Sequence, residues 1–245
     1  MTIRLAYRYN DRMADKDVLY HEVLEAFQTG GCALCRLGRR AADSYLHALI
    51  YEGVTDPDLR EKLRDARGPC HRHAWRMANQ RGSVLGTAIM YRDFVNTLAK
   101  ALEGGEDAPR RLRFWGRGQS DLDAGLAPTA PCPACILEAD AVQRNAMILL
   151  KHLDDAEMER AYLAAGGLCL PHFRLTLAHA GGGAPRTLAQ WQATAWRQLR
   201  DELDELIRKH DHRFLQERVT DAEADSWRRA VAAVAGAAEI RDEAP

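Results

Sequence analysis

Apolar residues recur along this chain at three- and four-residue spacing, and no stretch shows the alternation of a half-buried strand. Asp17–Phe27 carries Val18, Leu19, Val23, Leu24 and Phe27 at helical spacing, and Gly30-Gly31 ends it. A second helix leaves Cys35, with Leu37, Ala41, Tyr45, Leu46, Leu49 and Ile50 on its inner face. Asp56–Arg67 reads as a third helix that turns the chain back. Another begins near His73, and Val84–Leu102 follows with Tyr91, Phe94, Val95, Leu98 and Leu102 as its apolar stripe. After Cys135, Leu137, Ala141, Met147, Leu149 and Leu150 line a further helix. Leu188–His210 carries Trp196, Leu199, Leu203 and Leu206, and a short helix around Trp227–Ala238 precedes a charged end. The pattern predicts an all-α protein.

One stretch breaks it. Gly104–Pro131 is rich in glycine, proline and arginine and reads as a linker. It predicts a first helical repeat over 1–103, a linker over 104–131, a second repeat over 132–220 and a C-terminal helix and tail over 221–245. Within the linker, Arg110, Arg111, Arg113 and Arg117 flank Phe114 and Trp115, a set able to grip a phosphate backbone or stack on a base. A solvated connector is the plainer explanation. Net charge is −1, so nothing general points to nucleic acid or an anionic membrane. The first eight residues are too polar for a signal peptide, and no apolar run approaches a membrane span. A cytoplasmic location is expected, where thiols stay reduced.

The chemistry lies in the six cysteines. Cys32-Ala33-Leu34-Cys35 is followed by Cys70-His71-Arg72-His73, and Cys132-Pro133-Ala134-Cys135 by Cys169-Leu170-Pro171-His172. Each half reads C-x2-C, a spacer, then C-x2-H, with 34 intervening positions in the first half and 33 in the second. Asp56 and Asp155 open a helix before each C-x2-H, and Gly68 and Gly167 close it, so the flanks repeat too. Three thiolates and an imidazole make a closed tetrahedral set, which structural zinc prefers. The expected ligands are Cys32, Cys35, Cys70 and His73 in the first half and Cys132, Cys135, Cys169 and His172 in the second: two zinc ions, each knotting its own half. The same residues could instead hold iron–sulfur clusters. His172 aligns with His73, which leaves His71 as the alternative ligand. Arg36, Arg72, Arg76 and Arg174 stand near the motifs and could offset thiolate charge.

Other readings explain less. Buried structural thiols would not need this spacing, and a disulfide framework suits a secreted chain. Cys132-Pro133-Ala134-Cys135 looks like a thiol–disulfide motif, but that chemistry is expected beside a βαβ unit. No G-x-S-x-G, Walker loop, dinucleotide fingerprint or H-E-x-x-H occurs.

With Glu25-Ala26-Phe27 leading into Cys32, Gly68-Pro69-Cys70, Cys132–Cys135, Gly167-Leu168-Cys169-Leu170-Pro171-His172-Phe173 and Ile207–Phe214, the chain resembles an uncharacterised bacterial family, a domain of unknown function, over roughly residues 17–232. It departs from the family pattern at His73-Ala74-Trp75, where an aromatic would directly follow the histidine. The resemblance implies the helical fold and the metal ligands and brings no activity with it. The expectation is therefore a metal-binding helical protein that acts as an interaction or regulatory module, with another protein as partner and no catalysis of its own. The alternative is an iron–sulfur electron carrier or redox sensor.

Overall fold

The computed structural model describes residues 16, 18–103, 119–214 and 216–238. They form helices and connections, with no strand among the described residues. The helices are α1 (Val18–Gln28), α2 (Ala33–Tyr51), α3 (Pro57–Asp65), α4 (His71–Ala78), α5 (Val84–Glu103), α6 (Gln119–Leu126), α7 (Pro133–Lys151), α8 (Ala156–Ala164), α9 (Leu170–His179), α10 (Ala184–Lys209) and α11 (Asp221–Ala235). Short 3₁₀ turns stand at Gly53–Thr55 and His212–Phe214.

The chain divides into two compact units. One combines Met1–Gly38 with Ala141–Pro245, and the other is Arg39–Asp140. Each therefore draws on both of the segments that the sequence reads as repeats. We call them the composite unit and the central unit.

The composite unit is built on α1, α8 and α10. Tyr20, Val23, Leu24 and Phe27 of α1 are buried against Met158 and Tyr162 of α8, Leu188 and Trp191 of α10, and Leu149 of α7. Phe27, Tyr162 and Trp191 make a chain of tilted ring contacts at 5.2 and 5.5 Å. Such pairs add roughly 0.5–1.5 kcal/mol each beyond the area they bury. α11 lies along α10, where Lys209 meets Glu223 at 2.8 Å and Arg229 meets Glu202 at 2.5 Å. Thr220 and Glu223 form a capping box that starts α11. The pattern around Trp227 placed this helix later than it begins. The T-x-x-E signature at 220–223 marks its true start.

The central unit buries Leu46, Leu49 and Ile50 of α2 with Leu63, Met77, Met90, Phe94 and Ala134. Arg60 and Arg64 of α3 both reach Asp93 of α5, at 3.2 and 2.9 Å. Of the stripe expected on α5, Phe94 is buried, whereas Val95 and Leu102 are 63% and 54% exposed. Phe94 and Met90 stand one turn apart and take the core contact. Val95 falls on the neighbouring, solvent-facing side. A helix, α6, stands within the stretch expected to be a plain connector. Arg67 donates to the carbonyls of Gly125 and Leu126, and Thr129 N–H donates to Asp65 O at 2.8 Å. Arg110, Arg111, Arg113, Trp115 and Arg117 lie outside the described residues.

The hairpins that follow the C-x2-C motifs have unequal arms. α2 and α7 have 19 residues each, and α3 and α8 have nine each. A metal site knotted within each half would need arms of similar length, to return the C-x2-H to its own C-x2-C. At about 1.5 Å per residue, the return helix covers about half the outward path. The turn does not bring the two motifs of one half together.

Both return helices start and end alike. Asp56 accepts from the N–H groups of Asp58 and Leu59, and Asp155 from those of Glu157 and Met158. Beyond each helix end the backbone turns through two residues with positive φ, Arg67 and Gly68 at +55° and +86°, and Gly166 and Gly167 at +83° and +80°. A Cβ on Gly167 would lie 2.7 Å from Gln192 Nε2, and one on Gly68 would lie 3.2 Å from the Phe94 ring. Gln192 is buried and accepts from Leu168 N–H at 3.0 Å and from the Tyr162 hydroxyl, so it has little room to give way.

Two outcomes are expected. Gly167→Ala should destabilise the protein by about 1–2 kcal/mol from the left-handed backbone alone, with the Gln192 contact adding to it, as read by chemical denaturation. Burial of Asp155 opposes its charge, but Lys16 at 2.7 Å and the two N–H groups outweigh this and hold its pKa at about 2. Its stabilising effect is thus fully present above the unfolded carboxylate pKa of about 4 and is lost as pH falls from there through about 2. Asp155→Ala should cost about 1 kcal/mol at neutral pH, and the gap from the parent should close towards pH 2.

Candidate metal centres

All four cysteine motifs occupy the same local position. Cys70 and Cys169 are the N-caps of α4 and α9, so His73 and His172 fall at the third helical residue. Cys32 and Cys132 directly precede the first residues of α2 and α7, and their carbonyls accept from Arg36 N–H and Ile136 N–H. Cys35 and Cys135 therefore also fall at the third helical residue. An N-cap side chain and a third-position side chain face each other across the first turn, which is why the x2 spacing works. Pro133 and Pro171 suit the opening turn, where a missing N–H costs nothing.

Two groups of four ligand atoms form among the described residues, each within 4.8 Å of one another. In the composite unit they are Cys32, Cys35, Cys169 and His172. In the central unit they are Cys70, His73, Cys132 and Cys135. Every expected ligand is thus in a group, but the partnership is exchanged. Cys32 and Cys35 meet Cys169 and His172, not Cys70 and His73. Cys132 and Cys135 meet Cys70 and His73, not Cys169 and His172. His71 is exposed at the first residue of α4 and belongs to neither group.

Distances within the two groups agree closely. In the composite unit, His172 Nδ1 lies 3.4, 3.3 and 3.3 Å from the sulfurs of Cys32, Cys35 and Cys169, and Cys35 Sγ lies 3.7 Å from Cys169 Sγ. In the central unit, His73 Nδ1 lies 3.4, 3.6 and 3.3 Å from Cys70, Cys132 and Cys135, and Cys70 Sγ lies 3.5 Å from Cys135 Sγ. All six thiols are free. A metal ion could be held by either set.

The electrostatics place one thiolate and one imidazolium in each group. Each group stands where two helices begin, and each helix N-terminus carries roughly half a positive charge. In the composite unit, contacts from Cys169 and Cys32, together with the Ala237 N–H, hold the Cys35 thiol far below its ordinary pKa. The Cys32 thiol, beside Cys169 and Cys35, is pushed far up. Burial opposes charge on His172, yet its contacts with Cys169 and Cys35 raise its pKa to about 10. In the central unit, burial works against ionisation of Cys132. His73 and the N–H groups of Cys70, Cys135 and Ala134 outweigh it and bring its pKa to about 6. Cys135 is pushed up to about 12 by burial and by its neighbour Cys70. His73 rises to about 9 through Cys132 and Glu138. Each group thus places an imidazolium against thiolate, and a cation entering it displaces protons.

The supports of the two groups differ. Glu138 Oε2 of α7 lies 3.2 Å from His73 Nε2, an ion-pair distance at an angle short of a hydrogen bond, and Nε2 meets no better partner. Arg72 grips the same carboxylate through both guanidinium nitrogens. Glu138 was missed in the sequence, although C-x2-C-x2-E puts it one turn beyond Cys135 on the helix. Arg36 proves not to offset thiolate charge. It donates to the carbonyls of Ala26 and Gly30 at 2.6 and 2.8 Å and so closes the end of α1. Arg76 pairs with Asp43 at 2.5 Å. Phe173, next to His172, packs edge-on against Trp196 at 5.7 Å. Ala74 stands at the matching place in the central unit, and Trp75 is 61% exposed.

No helix among the described residues is long and apolar enough to cross a membrane. The chain is 26% identical over 217 residues to an uncharacterized 23.9 kDa protein in the xynA 3' region of Caldicellulosiruptor sp. (strain Rt8B.4), covering 87% of this chain and 99% of that protein. No solved structure matches the chain. Residues 15–241 match the Family of unknown function (DUF6062), and with nearly the whole chain covered, this protein belongs to that family.

Proposed function

We propose that this is a zinc-binding helical protein that holds two single ions, one in each unit, and serves as an interaction or regulatory module without catalysis of its own. One observation carries the reading. Zinc bonds of about 2.3 Å to sulfur and about 2.0 Å to nitrogen, arranged tetrahedrally, require ligand edges of about 3.8 Å between sulfurs and about 3.5 Å from sulfur to nitrogen. The six sulfur–nitrogen edges are 3.3–3.6 Å, one sulfur–sulfur edge in each group is 3.7 and 3.5 Å, and all four ligand atoms of a group lie within 4.8 Å of one another. An iron–sulfur cluster sets several irons and bridging sulfides between its ligands and needs them further apart. With three sulfurs and one nitrogen bound, the ion has no open position for a substrate, which favours a structural role over a catalytic one.

An interaction role is supported by apolar side chains left in solvent. Trp227, Val231 and Val234 recur along α11 and are 51–64% exposed, and Trp75 and Ile136 stand out close to the ligands of the central unit. The matched caps, glycines and motif positions support descent from a duplicated helical unit whose C-x2-C segments have changed partners. We place the protein in the cytoplasm, where the thiols would stay reduced.

Protein purified without oxygen should be colourless and carry about two zinc ions per chain by elemental analysis. Brown protein containing iron would contradict the reading. His73→Ala should lose about one zinc equivalent while the composite unit keeps its own, and His71→Ala should retain both. Loss of metal in the His71 variant with retention in the His73 variant would reverse the ligand assignment.

A further inference from the structure

Glu138 is the feature that metal binding alone does not explain. It is a partly buried carboxylate, 18% exposed, at the back of an imidazole that is wholly buried. It projects from α7, the helix that also begins with Cys132 and Cys135. Arg72 and His73 are consecutive residues of α4. One carboxylate therefore reaches two neighbours on the other helix, and Arg72 fixes where it stands. With Glu138 behind Nε2, the proton belongs on Nε2, and Nδ1, the atom 3.3–3.6 Å from the three sulfurs, is left to donate its lone pair. A carboxylate behind a ligating imidazole fixes its tautomer and ring orientation and raises its basicity.

The composite unit provides a comparison within the same molecule. Three residues beyond Cys35 stands Gly38, which has no side chain to offer. No carboxylate pairs with His172 among the described residues.

We propose that Glu138, held by Arg72, is a positioning residue for the central-unit metal site, orienting His73 and strengthening its bond to the ion, and that the composite-unit site works without such a residue. This rests on the metal-binding reading above and adds a role that the eight ligands do not include.

The test uses the full chain loaded with cadmium-113, which replaces zinc and reports each site by its own resonance. The two signals are assigned through their couplings to the cysteine β-protons. Wild-type protein should show two resonances. Glu138→Ala should move only the resonance coupled to Cys70, Cys132 and Cys135, and should weaken that site about 10–100-fold in chelator competition. Glu138→Gln, which keeps the shape and an acceptor oxygen without the charge, should fall between. Equal weakening of both sites would show a general structural defect and overturn the proposal. So would an unmoved resonance with unchanged affinity in both variants. Wild-type protein that takes up no cadmium would remove the metal reading itself and this role with it.

Discussion

Two helix N-termini do not share a small space unless something negative lies between them. In each unit of this protein, two helices begin at one point, α2 with α9 and α4 with α7, and three cysteines stand at that point. Their positive ends favour thiolate, and the thiolates offset charge that would otherwise separate the helices. The depressed thiols of Cys35 and Cys132 and the raised imidazoles of His172 and His73 express the same balance in titration. The remaining architecture can be read as the means of delivering these four helix starts in pairs. Gly68 and Gly167 turn the chain into the N-caps of α4 and α9. Arg36 and the Gly31 N–H, which donates to Ala165 O at 2.9 Å, fix the loop that enters α2.

The exchanged partnership sets what each group does for the fold. Cys35 and Cys169 are 134 positions apart in sequence, and Cys70 and Cys135 are 65 apart. An ion joining such distant segments closes long loops, which restricts the unfolded chain more than a clip within one hairpin would. It also explains the composition of the units. The composite unit draws on both ends of the chain, as its Cys32, Cys35, Cys169 and His172 group does. The central unit is continuous because Cys70 and Cys135 both lie within Arg39–Asp140.

Much of this was written in the sequence. Helical periodicity located α1, α2, α5 and α10 to within about a turn at most boundaries. The cysteine spacing named the eight residues that come together in the two groups, with His73 in one of them and His71 in neither. The partnership could not be read from spacing, because nearly equal spacers suit either pairing. The lengths of the hairpin arms decide it: α2 and α7 run for 19 residues, whereas the return helices α3 and α8 stop after nine. Val95 and Leu102 were placed on the inner face because apolar periodicity cannot tell which of two adjacent rows meets a neighbour. Glu138 went unnoticed because a carboxylate on a helix is ordinarily solvated, and only the tertiary contact with Arg72 and His73 distinguishes it. The start of α11 was available in Thr220 and Glu223 and was passed over for the more apolar stretch that follows.

Each C-x2-C meets the C-x2-H of the opposite half. Mild oxidation of the folded, metal-free protein with diamide, followed by digestion and mass mapping of the bridged peptides, tests it directly. Bridges between motifs should join Cys32 or Cys35 to Cys169, and Cys70 to Cys132 or Cys135. Bridges from Cys32 or Cys35 to Cys70, with Cys132 or Cys135 bridged to Cys169, would contradict it.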